Sequence, residues 1–273
     1  MKPFSKDIRE KKISELCELT LGDSKHDRDY LDEYLNINAL NLDLTETIYR
    51  IFDWKYFIKD LNTTKLTLPQ TKSWLKRDPY ENLILNSEVS YHGESGKIGN
   101  IYYGSCWTLL SDCDGMWRNF KADENSCAVK VKTNAKKLIT AIYDINDFAH
   151  DNRFFIGKVK YVKEQYISEL FKRTYKMDEL DDGFVFLEYL FIKRQQFKYE
   201  HEIRVIIKGN DDKRTIRIPF DPNLLIEEIV LDPAISNTEF LDKKKQIENA
   251  GYQGPILHSN LYSRPPHFIL NIQ

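Results

Sequence analysis

The narrowest constraint on the fold lies in the second half of the chain. There Phe197 to Ile207, Arg214 to Phe220 and Ile226 to Leu231 form three β-rich segments, separated only by Gly-Asn-Asp-Asp and Asp-Pro turns. Strands in the second half therefore lie close together along the chain. Elsewhere strand-like segments mix with helical ones without strict βαβ alternation, so the pattern predicts an α+β fold with a largely antiparallel or mixed sheet.

The remaining elements follow from periodicity. Ile48 to Phe52 reads as a strand, Trp54 to Leu61 as a helix behind Asp53, and Lys65 to Leu68 as a strand ending at Pro69. Further strands are expected at Ile101 to Thr108, Cys127 to Val131, Phe154 to Val162 and Pro255 to His258. Ser111 is placed to cap a helix carrying Met116, Trp117 and Phe120, and Asn134 one running through Ile142. Helical spacing covers 166–192, and Asn237 to Ala250 is a helix closed by Gly251 as its left-handed C′ residue. Residues 5–47 carry leucines and isoleucines at spacings that suit a helical hairpin. The expected organisation is a helical extension over 1–46 and one main domain over 47–273.

Hydrophobic residues make up 41 % and aromatic residues 13 % of the 273, enough to bury a core. The 40 Lys and Arg against 42 Asp and Glu give a net charge of −2, which excludes a strongly basic nucleic-acid coat and an acidic disordered tail. No apolar run is long enough to span a membrane, and the segment from Met1 to Asp7 lacks the apolar core of a secretory signal, so a cytoplasmic location is expected. Cys17, Cys106, Cys113 and Cys127 form no Cys-x-x-Cys pair and read as free thiols.

Three places stand out chemically. In Tyr199-Glu200-His201-Glu202-Ile203-Arg204, strand alternation puts Glu200, Glu202 and Arg204 on one face. Such a row suits a cleft or cationic partners; the alternative is a solvated face with a Glu202–Arg204 pair. Arg50, central in an apolar strand, offers a planar fork to a phosphate or carboxylate, or else a structural salt bridge. Ser105-Cys106-Trp107-Thr108 sets hydroxyls beside an aromatic ring, ahead of a helix start. Glycine-rich nucleotide loops, His-Glu-x-x-His and Gly-x-Ser-x-Gly are absent, and the six histidines show no zinc spacing. Lysines at 130, 132, 136, 137, 158, 160 and 163, with tyrosines nearby, read as a solvated face or a nucleic-acid patch.

Taken in order, Tyr49-Arg50, Asp78-Pro79-Tyr80-Glu81, Trp107 with Met116-Trp117, and Glu200-x-Glu202-x-Arg204 resemble a bacterial family that looks like a divergent branch of the ADP-ribosyltransferases. The resemblance spans roughly 47–260 and extends in outline to CmdT-type defence toxins, which modify RNA. It implies a split mixed or antiparallel sheet with flanking helices, NAD as substrate and no metal. Glu202, with Glu200 as the competing choice, would be catalytic. Tyr49, Arg50, Ser105, Trp107, Thr108 and Arg204 would contact NAD, Arg50 at its phosphates and Ser105 or Thr108 at the nicotinamide-side ribose. The middle strand reads Ser-Cys-Trp-Thr instead of Ser-Thr-Ser, and the first strand has no His.

The expected function is therefore transfer of ADP-ribose from NAD to a macromolecule, RNA ahead of protein or DNA, by a toxin of a toxin–antitoxin or phage-defence module. An antitoxin partner is expected, the extension over 1–46 is a candidate either to dock it or to gate the cleft, and Tyr91 to Gly99 is a candidate lid. Two other classes stay open: a nucleotide or RNA sensor without catalysis, and a metal-dependent nuclease built on Asp78, Glu81 and the late glutamates.

Overall fold

A computed structural model describes residues 32, 35–76, 78–81, 83, 87–91, 94–97, 102–121, 126–143, 154–172, 187, 189–209 and 213–265. The expected helices at 5–31 and most of the helical spacing in 166–192 lie outside these residues. So do His92, Gly93, Ile98 and Gly99 of the candidate lid; its described residues belong to a strand pair, β4 (Glu88–Tyr91) with β5 (Glu94–Lys97).

Eight strands form one mixed sheet. Its order is β1 (Ala39–Leu40), β8 (Phe154–Lys158), β11 (Glu202–Lys208), β6 (Tyr102–Thr108), β2 (Thr47–Asp53), β7 (Ala128–Asn134), β13 (Glu228–Leu231) and β14 (Ile256–His258). The outer pairs β1–β8 and β13–β14 are parallel and every inner pair is antiparallel, while β3 (Lys65–Pro69) and β12 (Thr215–Pro219) pair antiparallel outside this sheet. The middle of the sheet is its weakest seam. β11 and β6 pair over seven residues, as do β2 and β7, whereas β2 meets β6 only at Tyr49↔Thr108. The sheet is thus two four-stranded halves whose strands, among the described residues, pair across the centre at a single position.

The two faces treat that split differently. On one face a single apolar core crosses it, combining Ile48, Phe52, Trp107, Val131, Ile203 and Val205 with helices α1 (Trp54–Thr63) and α3 (Ala135–Ile142). On the other face there are two cores. Tyr102, Phe155 and Ile206 pack under Leu170 of α4 (Glu164–Leu170), Leu187 and Leu190, while Ile51, Ala128 and Val230 pack under Met116 and Trp117 of α2 (Asp114–Asn119). Between these two cores run the polar residues Glu202, Thr108 and Tyr49.

Local chemistry explains several boundaries. Asp53 caps α1 by accepting from Lys55 N–H at 3.0 Å, and Asn134 caps α3 by accepting from Lys137 N–H at 2.8 Å. The helix Asn237–Asn249 starts with a reciprocal capping box of Ser236 and Glu239 and ends before Gly251 at φ 93°. Ser111 does not cap α2; Cys113 takes that position without a side-chain bond, and Asp112 instead accepts from Trp117 Nε1 at 2.8 Å. The expected strand at 154–162 breaks at Val159, whose N–H donates to the Glu202 carbonyl, and resumes as β9 (Lys160–Val162) beside β10 (Ile192–Arg194). Cys106, Cys113 and Cys127 are free thiols, and Cys17 lies outside the described residues. Among the described residues no helix is long and apolar enough to cross a membrane.

Candidate active site

Glu202 opens β11 opposite Thr108, and Thr108 is in turn opposite Tyr49. Residues paired across antiparallel strands point to the same face, so these three form a row across the split. With strands about 4.8 Å apart, the row is about 10 Å long. Arg204 follows Glu202 on that face, opposite Cys106.

Glu200 is not on the strand. Residues Gln195–Glu200 form a 3-10 helix that ends at His201 in the left-handed region, φ 43°, and β11 begins one residue later. Histidine is among the few residue types that enter this region readily. The turn is pinned: Thr108 Oγ1 donates to the Glu200 carbonyl at 2.6 Å, Leu109 N–H to the His201 carbonyl at 3.1 Å, and Glu202 N–H to Tyr161 Oη at 2.8 Å. The Glu200 carboxylate therefore still reaches the cluster, by a tight turn instead of strand alternation.

The cluster holds three carboxylates and two cations. Arg204, fully buried, donates from Nε and Nη2 to the two oxygens of Glu202 at 2.9 and 3.1 Å, from Nη2 to Glu81 at 2.8 Å, and from Nη1 to the Leu190 carbonyl at 2.7 Å. Its guanidinium lies 4.6 Å from the Trp74 ring, which packs so closely on Gly104 that a Cβ there would sit 2.9 Å from it. Lys193 Nζ reaches Glu200 at 2.5 Å and both Glu202 and Glu81 at 3.1 Å. Asp78, three residues before Glu81, pairs with Arg194 at 2.8 Å.

These contacts set the charge states. Burial pushes the Glu202 carboxyl up, but Arg204 and Lys193 outweigh it and hold Glu202 well below the usual carboxylate range. Burial raises Glu200 against the opposing pull of Lys193. Burial opposes the charge on Lys193, and the surrounding carboxylates more than restore it. The Cys106 thiol, hydrogen-bonded to Glu202, is pushed up mainly by burial and stays protonated. The site thus presents one carboxylate locked in its charged form beside another nearer to taking a proton.

The sequence-derived residues divide between two faces. Glu202, Arg204, Thr108 and Tyr49 come together with Glu200, whereas Arg50, Ser105 and Trp107 point to the opposite face. Ser105 Oγ there accepts from Trp107 Nε1 at 3.0 Å. The Arg50 guanidinium sits 4.1 Å from the Phe52 ring and 5.9 Å from that of Trp107, and burial lowers it to about 10. Its Nη1 is buried and has no hydrogen-bond partner among the described residues. Sequence reasoning missed Lys193, Tyr161 and Trp74; only the Lys193-Arg194 doublet after an apolar stretch hinted at one of them. Among the described residues no group of three or more His, Cys, Asp or Glu side chains is arranged to hold a metal ion.

No protein-family model matches the chain, and no curated protein matches its sequence. Among solved structures it is similar to Thermus sp. 2.9 DarT in complex with NAD+, at TM-score 0.39 and 11 % identity over 80 % of this chain and 97 % of that one. The complex with carba-NAD+ gives TM-score 0.37 and 12 % identity over 80 % and 96 %. The complex with ADP-ribosylated ssDNA gives TM-score 0.35 and 13 % identity over 80 % and 95 %.

Proposed function

We propose that the chain is an NAD-dependent ADP-ribosyltransferase acting on a macromolecule. The observation that carries this reading is the polar row Glu202–Thr108–Tyr49, left between two separate cores where the sheet splits, with an ionised carboxylate fixed at one end. Breaking the nicotinamide–ribose bond sends its electron pair to the departing nicotinamide nitrogen and leaves oxocarbenium character on the ribose. A carboxylate held ionised before the reaction stabilises that charge. Glu202 suits this role because Arg204 and Lys193 keep it charged, and Glu200, with its raised pKa, suits proton acceptance from the attacking acceptor. Arg50 faces the other side at the split, and a pyrophosphate entering between β2 and β6 would satisfy its unpartnered Nη1.

The acceptor in this reading is a nucleic acid, RNA or single-stranded DNA. Such modification would make the protein a toxin, held in check by an antitoxin. Incubation with adenylate-labelled NAD and separate pools of RNA, single-stranded DNA and protein tests it. Label should enter a nucleic-acid pool with release of nicotinamide, and Glu202→Gln or Glu200→Gln should abolish transfer. Full activity in both variants would sink the reading.

The bidentate Arg204–Glu202 pair favours a second reading, a nucleotide sensor whose glutamates serve structure alone. NAD binding without nicotinamide release would select it. For the nuclease reading, Asp78 and Glu81 are each already committed to cations.

A further inference from the structure

Two basic-aromatic segments some thirty residues apart in sequence meet beside the carboxylate cluster. β9 and β10 pair in parallel, Lys160↔Ile192, Tyr161↔Lys193 and Val162↔Arg194, and the 3-10 helix Gln195–Glu200 continues directly from β10. The pairing gathers Lys160, Lys163 and Tyr166 with Lys193, Arg194, Phe197, Lys198 and Tyr199.

The inner members are fixed. Arg194 is tied to Asp78 and Glu164, each at 2.8 Å, and its guanidinium lies 4.5 Å from the Tyr80 ring and 5.5 Å from the Phe197 ring. Lys160 Nζ lies 4.5 Å from the Tyr166 ring. The outer members face solvent: Tyr199 is 49 % and Tyr80 37 % exposed, and Lys163 and Lys198 are exposed. Arg194 offsets one of the two acids Asp78 and Glu164, and Lys160, Lys163 and Lys198 outnumber the one that remains.

We infer that this surface binds single-stranded nucleic acid, with unpaired bases stacking on Tyr199 and Tyr80 and backbone phosphates meeting Lys198 and Lys163. Exposed rings interleaved with cations match that ligand because every base offers a π face and every linkage a negative charge. A duplex keeps its bases stacked inside and cannot offer them to the rings. Tyr199 immediately precedes Glu200 in the 3-10 helix, which ties this surface through the backbone to the carboxylate that would take the acceptor's proton. The inference deepens the transferase reading by naming its acceptor surface.

Fluorescence anisotropy of short labelled RNA and DNA single strands, and of the matching duplexes, tests it with the full chain and without NAD. Single strands of RNA or DNA should bind more tightly than duplex. Tyr199→Ala and Tyr80→Ala should each weaken binding about five- to hundred-fold, the range for one base on one ring, and Lys198→Glu should lessen the salt dependence. Both tyrosines are exposed, so unchanged melting temperatures would certify the fold of the variants. Equal duplex affinity, no binding of either single strand, or unchanged affinity in the Tyr80→Ala, Tyr199→Ala double variant overturns the inference. Failure of NAD cleavage would instead sink the transferase reading and leave this surface standing.

Discussion

Tyr49 and Thr108 are the only residues paired across the centre of the eight-stranded sheet among those described. Thr108 carries a second duty, because its hydroxyl donates to the Glu200 carbonyl and accepts from Leu110 N–H at 3.1 Å. Thr108→Val keeps the shape and removes both bonds. Chemical denaturation should show a loss of about 1–3 kcal/mol from the groups left unsatisfied, with Thr108→Ser recovering most of it. Because the turn that aims Glu200 loosens, nicotinamide release should fall more in Thr108→Val than in Thr108→Ser.

Arg204 is the hub of the buried cluster. Replacing it with Met leaves Glu202 and Glu81 facing each other with Lys193 as their nearest remaining cation. Breaking a buried ion pair from one side costs about 3–5 kcal/mol, so Arg204→Met should show a sharply lowered urea midpoint. Adding Glu202→Gln to Arg204→Met should restore part of that loss, since it removes the stranded charge. Additive losses in the double variant would contradict the coupling.

Acid should reveal the same cluster. Glu202 is held ionised more firmly in the native state than in the unfolded chain. Its contribution to stability is present above the unfolded value of about 4.3 and is lost as pH falls through the lowered native value. Glu200, raised mainly by burial, has the opposite sign: its contribution is present below about 4.3 and lost as pH rises through its native value. Glu202 has the larger shift, so melting temperature should drop on acidification below about pH 4.3. In Glu202→Gln that drop should be shallower; an unchanged slope would place the acid sensitivity elsewhere.

Gly104 is required by close approach. An added Cβ would stand 2.8 Å from the Val205 carbonyl oxygen and 2.9 Å from the Trp74 ring. The oxygen belongs to the neighbouring strand and has little room to move. Gly104→Ala should therefore destabilise by about 1–3 kcal/mol in urea titration. It should also displace Trp74 from Arg204, readable as a change in tryptophan fluorescence.

Much of the frame is legible in local sequence. The strand Ile48 to Phe52, the helix behind Asp53, the cap Asn134 and the Gly251 C′ position follow from short-range rules of periodicity and capping. The Asp78-Pro79-Tyr80-Glu81 loop and the Glu-x-Glu-x-Arg segment were both visible as motifs, and the fold brings them together through Arg204. Period-two alternation also contained a warning: Ser105 and Thr108 fall on opposite faces of one strand and cannot line one site from it. Glu200 was misplaced because a left-handed His201 leaves no trace in a hydrophobic pattern. Lys193 and Tyr161 enter through a parallel pairing of distant segments, which no local signal encodes.

Arg50 offers the sharpest separation of stability from binding. Its Nη1 is buried without a hydrogen-bond partner among the described residues, and burial disfavours its charge. An unsatisfied buried donor costs about 1–3 kcal/mol, so Arg50→Met, which keeps a flexible unbranched stem and removes the charge, should stabilise the free protein by up to about that amount. Ligand should reverse the order. If a pyrophosphate satisfies this guanidinium, NAD raises the melting temperature of the wild-type protein and raises that of Arg50→Met much less, since only the native state with its cation gains the contact. A thermal shift series with NAD, pyrophosphate and nicotinamide reads both effects. Equal shifts with NAD in the two proteins would remove Arg50 from the binding site, whereas pyrophosphate protecting only the wild type would place the phosphate arm at the split between β2 and β6.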